Sequence, residues 1–281
     1  MAKLSDREYV AGISVNVVTI SDVLAEIRSA VQTGQPCRVH TLNVDHVVLA
    51  HRDPDFARAI ATANLVVPDG MPIVWVLRRR GHKSERITGV DLLERILREC
   101  PYRVTLVGAR PGVAIAVAQK VQTHRWPADV VGTFAPPRAD VLSKTASAIL
   151  AGQIRSRHSD IVFVAFGAPL QEKWIVDHAR DLGAPVVIGV GAAFDFLAGR
   201  LRRAPKAFQD RGLEWLYRMA QNPIRLGTRY VGRDWRFFPL LWRYGHAAAP
   251  FYGTAPVGTL LDQEPREETR VLSRGEALRE E

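Results

Sequence analysis

Two hydrophobic textures alternate along the chain. Short unbroken apolar runs, rich in β-branched residues, stand at Leu65-Val66-Val67, Ile161-Val162-Phe163-Val164-Ala165 and Val186-Val187-Ile188. Such runs suit strands buried on both faces, as in a parallel sheet. Between them, apolar residues recur at helical spacing, as do Leu92, Leu93, Ile96 and Leu97.

In order, the pattern predicts a first strand over residues 10–18, then a helix with Ser21 as N-cap, ending at Gly34. A strand over 38–43 ends in polar groups. Helical residues 45–63 carry a break at Pro54. The run 65–67 closes on Pro68-Asp69-Gly70, and a helix over 71–80 follows. Arg86-Ile87-Thr88-Gly89 reads as a loop and 91–100 as a helix. Strands over 104–108 and 130–134 are each followed by a helix, the second over 139–157. The runs at 160–166 and 186–190 complete the set, each ending in glycine and then polar groups. Strands alternating with helices predict an α/β fold with a mostly parallel sheet. In such a sheet, ligands bind beyond the carboxyl ends of the strands. Thr41, Asn43, Asp69, Gln171, Glu172 and Asp195 are all expected at that edge.

The strand pattern stops after Gly199. Between Arg202 and His246 stand ten basic residues against three acidic ones, interleaved with Trp, Tyr and Phe. The division expected is a core over 1–200, a helical, basic, aromatic appendage over 201–246, and a disordered tail over 247–281. The appendage has three readings: a surface for anionic lipid, a nucleic-acid binder, or a packed helical subdomain with solvated Arg. No nucleic-acid module pattern is present, which ranks lipid above nucleic acid. Its apolar surface is also one on which copies of the chain can self-associate into a homo-oligomer.

Composition adds three constraints. Across 281 residues, 38 Lys and Arg face 29 Asp and Glu, and a net charge of +9 favours phosphate-bearing partners. Cys37 and Cys100 lack C-x-x-C spacing, and the eight histidines show no H-x-x-x-H or H-E-x-x-H pattern, so no metal site is expected. The charged start does not read as a signal peptide, and no run approaches a membrane span, so the expected place is the cytoplasm.

Asp69 is the leading chemical candidate: a carboxylate at a strand end can take a proton from an attacking hydroxyl, or it can cap the next helix. Thr41 and Asn43 can bind a sugar or simply turn the chain. Arg86 can hold a diphosphate or lie solvated. Gly108-Ala109-Arg110-Pro111-Gly112 is a strand-to-helix turn of the kind that cradles phosphate, although it is neither G-x-G-x-x-G nor a P-loop. Gln171 can read a base edge. Asp195, after Gly191, can accept ribose hydroxyls or cap a segment.

Several short stretches stand together: Thr41-Leu42-Asn43-Val44-Asp45, Pro68-Asp69-Gly70-Met71-Pro72, Arg86-Ile87-Thr88-Gly89-Val90-Asp91, Val107 to Gly112, Phe166 to Glu172, Gly189 to Asp195, and Arg203-Ala204-Pro205 with Gly212-Leu213-Glu214-Trp215. In this order they resemble the WecG/TagA/CpsF family of bacterial membrane-associated glycosyltransferases. The resemblance implies a Rossmann-like core that uses a UDP-sugar donor, an acceptor sugar carried on a polyprenyl diphosphate, and inversion without a bound metal or other cofactor. It implies Asp69 as general base, with Thr41, Asn43 and Arg86 around it. Gln171, Glu172, Asp195, Gly108, Arg110 and Gly191 would serve donor binding. Arg211, Arg218 and Arg225 would bring charge to the diphosphate from an appendage that reaches the inner face of the plasma membrane. Many members have Ala-Asp-Gly where this chain has Pro68-Asp69-Gly70; the proline stiffens the strand exit and leaves the carboxylate in place. Two rivals stand beside this reading. One is a nicotinamide-dependent oxidoreductase, which the missing G-x-G-x-x-G disfavours. The other is a non-enzymatic adaptor built on the basic appendage.

Overall fold

The apolar runs pair with one another. In a computed structural model, which describes residues 6–205, 207–208, 213–221, 227 and 232–244, strands β3 (Cys37–Leu42), β4 (Leu65–Pro68), β5 (Arg103–Gly108), β6 (Asp129–Phe134), β7 (Ile161–Ala165) and β8 (Val186–Gly189) form one sheet. Its order is β4-β3-β8-β7-β5-β6 and every neighbouring pair is parallel. The expected α/β, Rossmann-like architecture is the one found.

Successive residues of each strand enter opposite layers. Val39, Leu65, Leu106, Phe163 and Ile188 face α1 (Ile20–Thr33), α5 (Gly89–Glu99), α6 (Val113–Thr123) and α10 (Ala193–Leu197). On the other face, Leu42 and Val66 meet α2 (Val44–Ala50), α3 (Pro54–Ala61) and α4 (Met71–Arg79), while Val107, Val164 and Val187 meet α7 (Arg138–Leu142), α8 (Lys144–Arg155) and α9 (Leu170–His178). Burial on both faces explains why β4, β7 and β8 carry no polar alternation.

Three expectations need correction. The single strand over 10–18 is a hairpin, β1 (Arg7–Val10) against β2 (Ile13–Asn16), turned by Ala11 and Gly12 at φ 50° and 77°. It forms its own small sheet and covers the open edge of β4, where the Val66 N–H donates to Asn16 Oδ1 at 2.8 Å. The N-cap of α1 is Thr19, not Ser21, because Thr19 and Asp22 make a reciprocal capping box. The helix over 139–157 is two helices, broken at Ser143, whose hydroxyl accepts the Ala146 N–H and starts α8 afresh. The break expected at Pro54 is present, with Asp53 capping α3.

The C-terminal segment contributes a helix over Glu214–Gln221, a short turn over Asp234–Arg236 and a helix over Phe237–Tyr244. The last helix lies on α2: Phe237 is buried in the same core as Phe56, and the Tyr244 ring sits 4.9 Å from His51. The tail expected over 247–281 lies outside the described residues.

Candidate active site

Parallel register brings the strand ends into line. Leu42 stands opposite Pro68, and Val164 opposite Gly189. The Asp69 N–H still donates to Leu42 O at 2.8 Å, and the Ile87 N–H donates to Pro68 O at 2.9 Å. Asp69 therefore leaves the sheet with the start of α2 on one side and the Arg86 loop on the other. The cap position of α4 is Gly70 at φ 114°, so Asp69 is not the capping residue. A Cβ on Gly70 would come within 3.8 Å of Asn43 Cβ, which sets Asn43 against the Asp69-Gly70 turn.

Asn43 also works locally. It caps α2, its Oδ1 accepting the His46 N–H at 3.0 Å. His46 in turn bonds through Nδ1 to the Thr41 carbonyl at 2.6 Å; a carbonyl only accepts, so Nδ1 carries the proton. Thr41, Asn43 and Asp69 are thus held together at the ends of β3 and β4.

Arg86 joins them from the loop before α5. Its Nη1 donates to Glu214 Oε2 at 2.7 Å, with both side chains about seven-eighths buried. Burial works against the guanidinium charge. Together, the Glu214 hydrogen bond and the charges of Glu214, Asp69 and Asp91 outweigh it, and the Arg86 pKa is raised. The Asp69 charge is thus felt at Arg86.

Gln171 and Glu172 open α9 beneath the same edge. Gln171 Oε1 accepts the Gly191 N–H at 2.9 Å, and its Nε2 donates to Glu172 Oε1 at 2.7 Å. Both side chains are buried, Glu172 completely. Burial raises the Glu172 pKa against the opposing charge of His46. Gly189 makes this possible, because a Cβ there would lie 2.6 Å from Gln171 Nε2. The structure therefore places Gln171 and Glu172 under the Gly191 loop as a strut. Asp195, half-buried in the first turn of α10, accepts the Arg200 and Leu201 N–H groups at its carbonyl.

The third strand end is the Gly108 turn. Gly108 takes φ 106° where a Cβ would meet the Ala165 backbone at 2.7 Å. Gly112 starts α6 with no side-chain cap, exposed Arg110 precedes it, and Arg200 Nη2 would lie 3.8 Å from a Cβ placed there. A helix N-terminus with the Arg200 guanidinium close by favours an anion. Of the expected appendage arginines, Arg218 lies on the helix over Glu214–Gln221, and Arg211 and Arg225 lie outside the described residues.

Sequence reading missed three ion pairs that tie the C-terminal segment to this edge. They are Arg86 with Glu214, Asp91 with Arg203, and the buried Asp45 with Arg233. The three core partners fall inside the family-like stretches around Asn43 and Thr88, but nothing local in the sequence marks them as paired. Among the described residues, no three His, Cys, Asp or Glu side chains converge to hold a metal ion.

A family model for the glycosyl transferase WecG/TagA/CpsF family matches residues 8–249. The chain belongs to that family. It is a glycosyltransferase, joining a sugar donor to an acceptor, and its family supports a role in cell-surface polysaccharide synthesis. Membership sets aside the oxidoreductase and adaptor readings. The polar edge of this glycosyltransferase, with Asp69 flanked by Asn43 and Arg86, is its candidate active site. No described helix is long and apolar enough to cross a membrane.

Proposed function

We propose that the enzyme is an inverting glycosyltransferase that moves a hexose, N-acetylhexosamine or hexuronate from a UDP-sugar to a sugar carried on a polyprenyl diphosphate. Asp69 takes the proton of the acceptor hydroxyl. That oxygen attacks the anomeric carbon, and the electron pair of the broken C–O bond leaves with UDP. One displacement inverts the centre. The charge growing on the diphosphate needs cations placed in advance. Arg86 supplies one, the α6 N-terminus with Arg110 and Arg200 supplies others, and Arg211, Arg218 and Arg225 of the appendage add to them. With these groups the reaction goes without a bound metal. The observation that carries the reading is the placement of Asp69 beside Arg86 at the end of β4, fixed by the Pro68–Ile87 hydrogen bond of 2.9 Å.

The acceptor's lipid implies a membrane, and one surface suits it. Beyond the buried Phe237, the C-terminal segment exposes Trp235 (54%), Phe238 (69%) and Trp242 (87%), with Arg236 and Arg243 beside them. Aromatic rings and arginines together match an anionic headgroup layer. We assign the enzyme to the cytoplasmic face of the plasma membrane, as a peripheral protein.

The experiment is UDP release from a panel of UDP-sugars with a polyprenyl-diphosphate-linked sugar acceptor in detergent, with Asp69→Asn alongside. Release that needs one donor, the acceptor and Asp69 is expected. Full release by Asp69→Asn would remove Asp69 from the base role.

A further inference from the structure

The Gln171 amide is held in two different ways. Its place is set by Gly189 on β8. A Cβ there would lie 2.6 Å from Nε2 and 3.1 Å from Cδ, so the amide fills the space that the glycine leaves. Space alone does not tell the two ends of an amide apart, because the oxygen and the NH2 group are close in size. Hydrogen bonds set the sense. The Gly191 N–H donates to Oε1 at 2.9 Å, and Nε2 donates to Glu172 Oε1 at 2.7 Å.

Glu172 itself is wholly buried, closed off from direct contact with a donor at this edge. Among the described residues, the bond to Gln171 is the one hydrogen bond its side chain makes to another residue, and Oε2 is buried without a partner. The charged groups it feels lie in the first turn of α2. They are His46, whose ring bonds to the Thr41 carbonyl, and Asp45, which faces Arg233. Lys173, next on α9, is paired with Asp53 at 2.8 Å. Burial raises the Glu172 pKa, against the charge of His46 and the Gln171 hydrogen bond and with the charge of Asp45, and so favours the neutral acid. A proton on Oε2 leaves Oε1 able to accept from Gln171. A buried acid that leaves one oxygen unpaired is costly, and the bond to Gln171 is what it provides in return.

Resting on the UDP-sugar reaction proposed above, we propose that Glu172 is a positioning residue of the donor side: by accepting from Gln171 Nε2 it fixes the sense of that amide, keeps the Gln171 carbonyl on the Gly191 N–H, and so holds the Gly191 turn ready for the donor. With no acceptor at residue 172, the amide can turn end for end. Its NH2 group then faces the Gly191 N–H, donor against donor, and the turn loses its anchor. Gly191 stands at φ 55°, two residues before α10, so freedom there moves the path from β8 to Asp195.

Three full-length variants separate reach from charge. Glu172→Met keeps an unbranched side chain of similar length and removes the acceptor. Glu172→Asp keeps the acid but withdraws it by one methylene. Glu172→Gln keeps an oxygen in place and is neutral. The Gly191 amide, followed by nitrogen-15 NMR without ligand, is expected to exchange with solvent about tenfold faster in Glu172→Met and Glu172→Asp. UDP affinity by calorimetry and KM for the UDP-sugar should both weaken about tenfold in these two, with kcat within about threefold. Glu172→Gln is expected to recover most of each effect, which a role for the negative charge would not allow. Wild-type exchange and UDP affinity in a folded Met or Asp variant overturn the proposal, and so does faster exchange with unchanged UDP affinity. A wild type whose Gly191 amide is protected but which binds no UDP counts instead against the proposed donor, and exchange in the variants still decides the role of Glu172.

Discussion

The Gln171 side chain bridges two strand ends, accepting the Gly191 N–H at 2.9 Å while donating to Glu172 at 2.7 Å. The bridge exists because Gly189 leaves room for it. Gly189→Ala puts a methyl group 2.6 Å from Gln171 Nε2 and expels the amide. The Gly191 turn then loses its anchor. UDP affinity, measured by calorimetry, should drop about tenfold or more, the loss of one buried hydrogen bond. Unchanged affinity would show that the strut does not serve donor binding.

Two glycines should respond in opposite directions. A Cβ on Gly89 meets the Val190 carbonyl oxygen at 2.7 Å, backbone against backbone, so neither side yields cheaply. Gly89→Ala is expected to cost about 1–3 kcal/mol in urea unfolding. Gly152, inside α8, has open space around its missing Cβ. Gly152→Ala should stabilise by about 0.5–1 kcal/mol, since alanine restricts the unfolded chain and suits a helix.

His40 sits in β3, fully buried, with neither ring nitrogen hydrogen-bonded. Burial, then the charges of Arg38 and His46, pushes its pKa down from 6.5 to about 3. Between these values the unfolded chain binds a proton that the folded protein refuses. Stability is therefore complete above the unfolded value and falls as pH drops towards 3. Acidifying from about pH 7.5 to about pH 5 should cost about 2 kcal/mol through this residue alone. His40→Leu should flatten that part of the pH dependence by the same amount, and a slope equal to wild type would contradict the assignment.

Asn43 combines a cap with a place beside Asp69. Asn43→Asp keeps an oxygen for the His46 N–H and should leave stability nearly unchanged, while adding a negative charge near the base and slowing turnover. Asn43→Ala loses the cap and should cost about 1 kcal/mol in thermal or urea unfolding. If both variants lose only stability, Asn43 is a cap and nothing more.

Much of the fold could be read from the chain. Strands buried on both faces are mostly apolar, so 65–67, 161–165 and 186–188 declare themselves, and their polar endings mark the site's edge. What stayed hidden depended on partners far away. Gln171, Glu172 and Lys173 look like an exposed helix start. Gln171 and Glu172 are both buried, and Gln171 fits because Gly189, on the neighbouring strand, leaves it a hole. Glu214 looks like one stray acid in a basic segment until folding brings it to Arg86, and Asp91 meets Arg203 across 112 residues. The Ala11-Gly12 turn and the break at Ser143 were missed for a local reason: neither is a strong turn signal, and backbone geometry decided both.

The order of strands in space differs from their order in synthesis, and this sets when the enzyme can become whole. β8 is the last strand of the sheet made, yet it lies between β3 and β7. Until it arrives, β3 and β4 form one fragment and β5, β6 and β7 another, with no strand joining them. At roughly 5–20 residues per second, the nascent chain must wait for several seconds with two open sheet edges exposed. The insertion of β8 closes both edges at once and brings Gly191 to Gln171. Any change that weakens β8 should therefore be felt first in yield and aggregation during production, before it is felt in the stability of molecules that have already folded.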